Sequence, residues 1–315
     1  MMRERAAQYM RTLADCGSVT QAAARLYITP SALSKYIAAL EKETGNVLFS
    51  RVGNHFVLTH EGRTALDWLT RIEALSDQMD TAMADLTSQR SGLTRFGVQT
   101  TLGDFMLREV LPGFMAEYPG VRVAMSEEHS VAILEKMRRF ELDFAISTHR
   151  PEAPQYVCEP LAQMEQVLLV PSDHPLVKRA VRRPDRANPW VDLEWCAGER
   201  LVLMHPGQSP RRDMELHLQP MLDRMRVVLE VRTMRSMFNA VENGLGIAPA
   251  ADGIARLYSM KWTNLVQLSY GEDLPPTTFY LYYNRDVHLS LATRALIDRT
   301  RRALADLNVG GTPSL

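Results

Sequence analysis

The sequence predicts an α/β protein with an all-α-rich head, a long linking helix and two doubly wound α/β lobes. Three observations carry this. Two short capped helices lie close together between Ser18 and Arg51, apolar residues recur in steps of three and four from about Thr59 to Arg90, and a strand–helix alternation runs twice through the rest of the chain. At 315 residues the chain is too long for one ordinary domain, and 46% hydrophobic residues suffice for cores of normal size.

In the head, Ser18 is placed to cap a helix whose third position is Gln21, a capping box, and Ala22, Ala23 and Leu26 form a narrow stripe of mostly small residues. Small side chains let a second helix cross closely. Thr29 is placed to cap that helix, with Pro30 at the first position, where a missing N–H costs nothing. Leu33, Ile37 and Leu40 share its inner face and leave Ser31, Ser34 and Lys35 on the outward first turns, which a recognition helix presents to a major groove. Gly45 stops the helix, and VLFSR and HFVLT read as a hairpin around Gly53 and Asn54, a wing beside it. The spacing alone fits a generic helical hairpin equally well.

The whole chain has a formal charge of −1, but residues 1–60 hold seven Lys/Arg against four Asp/Glu, so the remainder sums to −4. A basic head on an acidic body suits phosphate contact at one end; chance variation explains the count as well. The N-terminal MMRERAAQYMR has no apolar signal segment, and no run of some 18 apolar residues occurs, which predicts a cytoplasmic protein without membrane contact. Cys16, Cys158 and Cys196 are widely spaced structural thiols, and His129, His149, His174 and His205 are scattered, so neither a metal nor a cofactor is expected.

The periodic segment carries Ala65, Leu69, Ile72, Ser76, Met79, Met83 and Leu86, a coiled-coil period that also fits a single helix packed on its own protein. Beyond Ser91 and Gly92, the first lobe reads as strand Leu93 to Val98, helix Leu102 to Tyr118, strand Val121 to Met125, helix Val131 to Arg138 and strand Leu142 to Ile146. The second reads as strand Leu201 to Met204, helix Arg211 to Leu222, strand Val227 to Val231, helix Ser236 to Asn243 and strand Gly246 to Ala248. Val167 to Val170 and Phe279 to Tyr283 are extra strands able to carry the chain between lobes, and a last helix runs from about Leu289 to Leu307.

Two open parallel sheets leave a crevice at the carboxyl ends of their strands, where small ligands bind. Thr100 and Thr101 follow the first strand, Ser130 the second and Thr148 the third, while His205 and Gln208 follow the first strand of the second lobe; Gln99 and Met234 are further candidates. Hydroxyls at helix starts favour a carboxylate or another anion, although each is also an ordinary helix cap.

The stretch GSVTQAAARLYITPSALSKYIAALEKETGNVLFSR resembles the winged helix-turn-helix of LysR-type transcriptional regulators nearly from end to end, matching at Ser18, Thr20, Ala22, Ala23, Leu26, Ala32, Leu33, Ser34, Ile37, Leu40, Glu41, Gly45, Leu48, Phe49 and Arg51. It departs where the family usually has Gln then Pro and this chain has Pro30 then Ser31, so base preference does not carry over. The wing tip, Gly53 to His55, also lacks the family's common basic pair. LPGFMAEYPGV, ELDFAIS, VLLVPSDHPL and VENGLGIAPA, in that order, resemble the family's effector domain, itself similar to type 2 periplasmic binding proteins.

The resemblance implies a winged helix-turn-helix over 1–60 with its motif at about 19–38, a linker helix over 61–90, an effector domain over 91–308 and a tail over 309–315. It implies DNA contacts by Thr20, Thr29, Pro30, Ser31, Ser34, Lys35 and Arg51, subunit pairing through Leu69, Ile72, Met79, Met83 and Leu86, and an effector at the crevice residues named above. The partners implied are double-stranded promoter DNA, a small and anionic effector, and further copies of the chain in a homodimer or homotetramer. An α/β enzyme with an accessory head is the competing reading. It lacks a GxSxG elbow, a Walker A loop, a dinucleotide fingerprint, HExxH or paired carboxylates at the strand ends. A solute-binding module conflicts with the missing signal and the DNA-reading head.

Overall fold

The computed structural model describes residues 5–53, 55–86, 91–206, 211, 215, 218, 222–258, 263–272 and 274–305. The chain divides into one unit of Met1–Gln89 with Arg138–Glu141 and another of Arg90–Met137 with Leu142–Leu315.

The first unit opens with a helix that the sequence reading did not identify, α1 (Ala6–Cys16), which buries Ala6, Ala7, Tyr9, Met10 and Leu13. Gly17 ends it in the left-handed region (φ 61°), and its carbonyl accepts the Phe56 N–H at 2.8 Å. A Cβ here would meet His55 Nδ1 at 2.8 Å, so glycine also permits the wing to dock. Helix α2 (Val19–Arg25) follows with Ser18 at its N-cap, but the Ser18 side chain makes no cap hydrogen bond, contrary to the capping-box expectation. Ala22 and Ala23 are fully buried, which brings α2 close to α3 (Pro30–Thr44). Thr29 Oγ1 accepts the Ala32 N–H at 3.2 Å, Pro30 sits at the start of α3, and Leu33, Ile37 and Leu40 are buried, as expected.

Strands β1 (Phe49–Val52) and β2 (His55–Leu58) form the hairpin, pairing Arg51 with Phe56. Helix α4 (His60–Leu86) then begins by packing on the head: Leu69 joins the core of α1 to α3, and Arg11 Nη2 donates to the buried Thr70 Oγ1 at 3.2 Å.

In the second unit, β3 (Ser91–Gln99) is central to one sheet, parallel to β4 (Gly120–Glu128) and β5 (Phe144–Ser147). The expected single helix after β3 comprises α5 (Thr100–Phe105), a π-helical turn (Met106–Val110) and α6 (Leu111–Glu117). Helix α7 (Ser130–Arg138) follows β4. Here the all-parallel expectation is corrected. The sheet order is β4-β3-β5-β13-β6, and β13 (Thr277–Asn284) runs antiparallel to both β5 and β6 (Tyr156–Met164).

The second lobe is mixed as well: β7 (Gln166–Pro171) pairs antiparallel with β11 (Ala248–Ala251) and β12 (Leu265–Tyr270), and β12 runs parallel to β8 (Trp190–Val191). Helix α8 (Pro175–Arg179) leads towards β8. Strand β9 (Arg200–Met204) is parallel to β10 (Arg226–Val231), and a Leu201–Ile247 bridge ties β9 to the segment entering β11. Helix α9 (Met234–Glu242) follows β10, α10 (Ile254–Leu257) follows β11, and α11 (Leu291–Ala305) closes the described chain. Most of the expected helix Arg211 to Leu222 lies outside the described residues, as do Gln208 and the tail.

The chain therefore changes lobes twice, from β6 into β7 and from β12 to β13, which is why the two expected extra strands belong to different sheets. One apolar core spans both sheets, from Phe96 and Phe144 to Leu168 and Val202.

Candidate functional site

Two surfaces have the chemistry to act. On the head, α3 turns Ser31, Ser34 and Lys35 outward, all exposed, because Leu33, Ile37 and Leu40 fix its opposite face in the core. Thr29 and Ser31 share a hydrogen bond at 3.2 Å, so the first turn presents a short hydroxyl cluster. Thr20 and Pro30 are exposed, and Arg51 lies on β1 with its guanidinium 6.0 Å from the Phe56 ring. The end of α3 is tied to the wing: Glu41 Oε1 accepts the N–H groups of Leu48 at 2.8 Å and Phe49 at 3.2 Å. The sequence reading matched Glu41 to the family pattern without finding this role, since a carboxylate seven and eight residues upstream carries no local signal.

Away from the side that carries Leu69, α4 leaves a different apolar stripe exposed. Trp68, Ile72, Leu75, Met79 and Met83 are all exposed. Leu69 is only 8% exposed and belongs to the head's own core. A uniform seven-residue stripe thus splits into an inner face through Leu69 and an outer face carrying Trp68 and Leu75, which the periodicity missed. The Leu86 side chain lies outside the described residues.

In the second unit a cleft lies between the two sheets, at the point where the chain crosses from one to the other. Gln99, Thr101 and Thr148 line it from the first lobe, Met234, Ala250, Ala251 and Ile254 from the second, and Met164, Gln166, Thr277 and Phe279 from the crossing strands. The structure thus brings together Gln99, Thr101, Thr148 and Met234 of the expected set. Thr100 is exposed outside the lining, and so is His205, whose Nδ1 stands 2.9 Å from the Pro206 carbonyl. Met164, Gln166, Thr277 and Phe279 were missed because strands that change sheets carry no strand–helix signature.

Gln99 organises the first-lobe wall. Its Oε1 accepts from Ser130 Oγ at 3.1 Å, from the Thr148 backbone N–H at 3.0 Å and from Thr148 Oγ1 at 3.1 Å. A backbone N–H only donates, so the atom facing it must be the amide oxygen, and the Gln99 NH2 group faces the other way. Two of the expected ligand hydroxyls, those of Ser130 and Thr148, are thereby engaged with the protein itself. Thr101 is not. Its residue is 7% exposed, and its buried Oγ1 has no hydrogen-bond partner among the described residues. A buried hydroxyl without a partner costs free energy, and a ligand that pairs with it recovers that cost. Across the cleft, Gln166 donates its amide to Thr277 Oγ1.

The two lobes also touch beside the cleft. Arg108 Nη2 donates to the Leu257 carbonyl at 2.8 Å, and Arg235 pairs with Asp104 at 3.7 Å. The thiols stay apart from this chemistry. Burial, with smaller contributions from the charges of Glu199 and Asp192, pushes the Cys196 thiol up to about 12, and burial raises Cys158 as well. All three cysteines are free.

Residues 5–63 match the family model of the bacterial regulatory helix-turn-helix protein, lysR family, and residues 87–305 match that of the LysR substrate binding domain. The activator CmpR of Synechocystis is 25% identical over 290 residues, covering 91% of this chain and 90% of CmpR. The uncharacterised regulator YybE of Bacillus subtilis is 29% identical over 250 residues, covering 78% of this chain and 81% of its own. Among solved structures, a variant of full-length OxyR from Pseudomonas aeruginosa superposes with a TM-score of 0.69 at 18% identity, covering 100% of this chain and 98% of that one. Full-length CbnR complexed with its target DNA superposes with a TM-score of 0.62 at 16% identity, covering 96% and 99%. With both family models matched in order across most of its length, the chain belongs to the LysR family of DNA-binding transcription regulators and is a regulator, not an enzyme.

Proposed function

We propose that the chain reads promoter DNA with α3 and the wing, and that a small molecule held in the interlobe cleft sets its activity. The unpartnered Thr101 hydroxyl carries the second half of this reading, because it is the buried polar group of the lining that gains most from a ligand. The contacts between lobes at Arg108 and Arg235 give such a ligand something to bias. A ligand with unequal affinity for two lobe arrangements shifts their populations by that difference alone.

At the head, Thr20, Thr29, Pro30, Ser31, Ser34 and Lys35 face the groove in this reading, and Arg51 holds a phosphate from the wing. Subunits pair through the outer stripe of α4, with Ile72, Met79 and Met83 joined by Trp68 and Leu75, to a dimer and from there a tetramer. The domain limits at 60, 90 and 308 and a cytoplasmic setting belong to the same reading. Among the described residues no helix is long and apolar enough to cross a membrane. An anionic effector, as the helix starts suggest, has to be held here by hydroxyl, amide and backbone donors, for no ionisable side chain is among the described lining residues.

The test is a thermal-shift screen of metabolites on the full chain, followed by binding of its own upstream DNA with and without each hit. A hit that raises the melting temperature and changes DNA binding is expected. Hits that stabilise the protein and leave DNA binding unaltered overturn the regulatory half of the reading.

A further inference from the structure

We propose that Arg186 is a positioning residue of the interlobe cleft: it clamps together the two strands that cross between the lobes, and so sets their rest arrangement. The proposal goes beyond the effector reading, because it concerns the crossings themselves and holds whatever the cleft binds. One crossing is very short. Glu165 alone separates β6, which ends at Met164, from β7, which begins at Gln166. Strand alternation sends the Met164 and Gln166 side chains into the cleft and the Glu165 carboxylate to the other side. The second crossing leaves β12 at Tyr270 and enters β13 at Thr277, itself a lining residue.

Arg186 reaches both crossings. Its Nη1 donates to Glu165 Oε1 at 3.0 Å, and its Nη2 donates to the Glu272 carbonyl, with the Gly271 carbonyl at 3.5 Å. Only 16% of the side chain is exposed, and its buried Nε has no hydrogen-bond partner among the described residues, since Asp185 Oδ2 stands 3.6 Å away. The guanidinium is therefore held by its two Nη groups on the crossings and not by its own loop. A planar fork whose donors point two ways bridges a carboxylate and a carbonyl in one geometry, which a single ammonium does not reproduce.

The clamp has a firm base. Its loop is closed by Val181 and Trp190, whose backbones exchange hydrogen bonds of 2.9 and 2.8 Å, and Trp190 opens β8 beside β12. Trp190 Nε1 donates to the Gly271 carbonyl at 3.0 Å, and Arg183 holds the Glu272 carboxylate through two bonds of 2.9 and 3.0 Å. Asp252, just after β11, grips the first crossing: its Oδ1 accepts the Glu165 N–H at 3.0 Å, and its own N–H donates to the Glu165 carbonyl at 3.0 Å. Arg183 and Asp252 thus each hold one crossing, and Arg186 ties the two. Lobes that turn on a pair of crossings change φ and ψ in both, so a tie between them opposes the turn.

The test uses the full chain with Cys16→Ser and Cys158→Ser, spin-labelled at Val131→Cys in the first lobe and Leu245→Cys in the second, both exposed positions. Labelled chains are assembled with an excess of unlabelled chain, so that pulsed dipolar spectroscopy reads distances within one chain. No ligand is added, so the outcome is independent of the effector reading. One narrow interlobe distance is expected with Arg186 in place. Arg186→Lys keeps the charge and loses the bridge, and should raise the population of a second distance about tenfold, the equivalent of one charge-assisted hydrogen bond. Arg183→Met touches one crossing only and should leave the distribution as it was. Glu165→Gln weakens the hold of Arg186 on the first crossing and should shift the population in the same direction; it decides the matter if Arg186→Lys does not fold. An Arg186→Lys protein that folds with the unaltered distribution overturns the proposal, as does a second distance that Arg183→Met raises equally, or one already abundant with Arg186 present.

Discussion

Glu41, in the last turns of α3, accepts the backbone N–H of Leu48 at 2.8 Å and holds Phe49 from the same oxygen at 3.2 Å. One carboxylate thus sets the distance from α3 to the start of the wing. Glu41→Ala leaves those two N–H groups without their acceptor next to a buried Leu48. A loss of about 2 kcal/mol in stability is expected, together with weaker DNA binding, whereas Glu41→Gln should retain much of both. Denaturant unfolding of the three proteins checks it, and an unchanged midpoint for the alanine variant contradicts it.

Lys35 is exposed on the outward face of α3. Lys35→Ala should weaken specific binding by roughly 1 to 3 kcal/mol if the amine meets a base edge, or reduce the salt slope by about one if it meets a phosphate. Titrations of specific and random DNA at two salt concentrations separate these outcomes, and unchanged affinity in all four removes Lys35 from the interface.

The two faces of α4 predict opposite failures. Leu75→Glu puts a charge on the exposed stripe and should halve the mass seen by light scattering, with the head still folded. Leu69→Glu puts it in the head core instead and should unfold the head. A dimer that survives Leu75→Glu and Ile72→Glu rules out the stripe as the seam.

Cys196 is fully buried, with its thiol pushed up to about 12, so thiolate is scarce at neutral pH. Iodoacetamide should leave it unmodified in the folded protein at pH 8, and Cys196→Ser should leave DNA binding unchanged. Alkylation of Cys196 at the rate of a free thiol, read by mass spectrometry, argues against a structural role.

Helix α3 was legible because its signals are local: the Thr29 cap, Pro30 and the Leu33–Ile37–Leu40 face each lie within one helical turn or two, whereas α1 was missed. The cleft was legible by half. Gln99, Thr101 and Thr148 follow parallel strands and so announce themselves, but Met164, Gln166, Thr277 and Phe279 enter from antiparallel strands whose partners are up to a hundred or so residues away. Thr148 lines the cleft as the pattern put it, whereas Ser130 lies outside the lining, and both hydroxyls bond Gln99, a pairing across 31 and 49 residues that no spacing reveals. The split of the α4 stripe at Leu69 likewise depends on where the head stops covering the helix.

Thr101 holds the central claim, and one paired measurement on Thr101→Val tests it. Replacing a buried, unpartnered hydroxyl by a methyl group of the same shape removes a desolvation penalty, so the ligand-free variant should be more stable by about 1 kcal/mol. The same change deprives the effector of a donor and should raise the concentration needed to alter DNA binding by roughly threefold to tenfold, while Thr101→Ser stays near wild type. Thermal unfolding of the free protein, together with the effector titration of its DNA complex, reads both at once. Higher stability with a weakened response is the predicted result; a variant less stable than wild type that still responds at the wild-type concentration contradicts it.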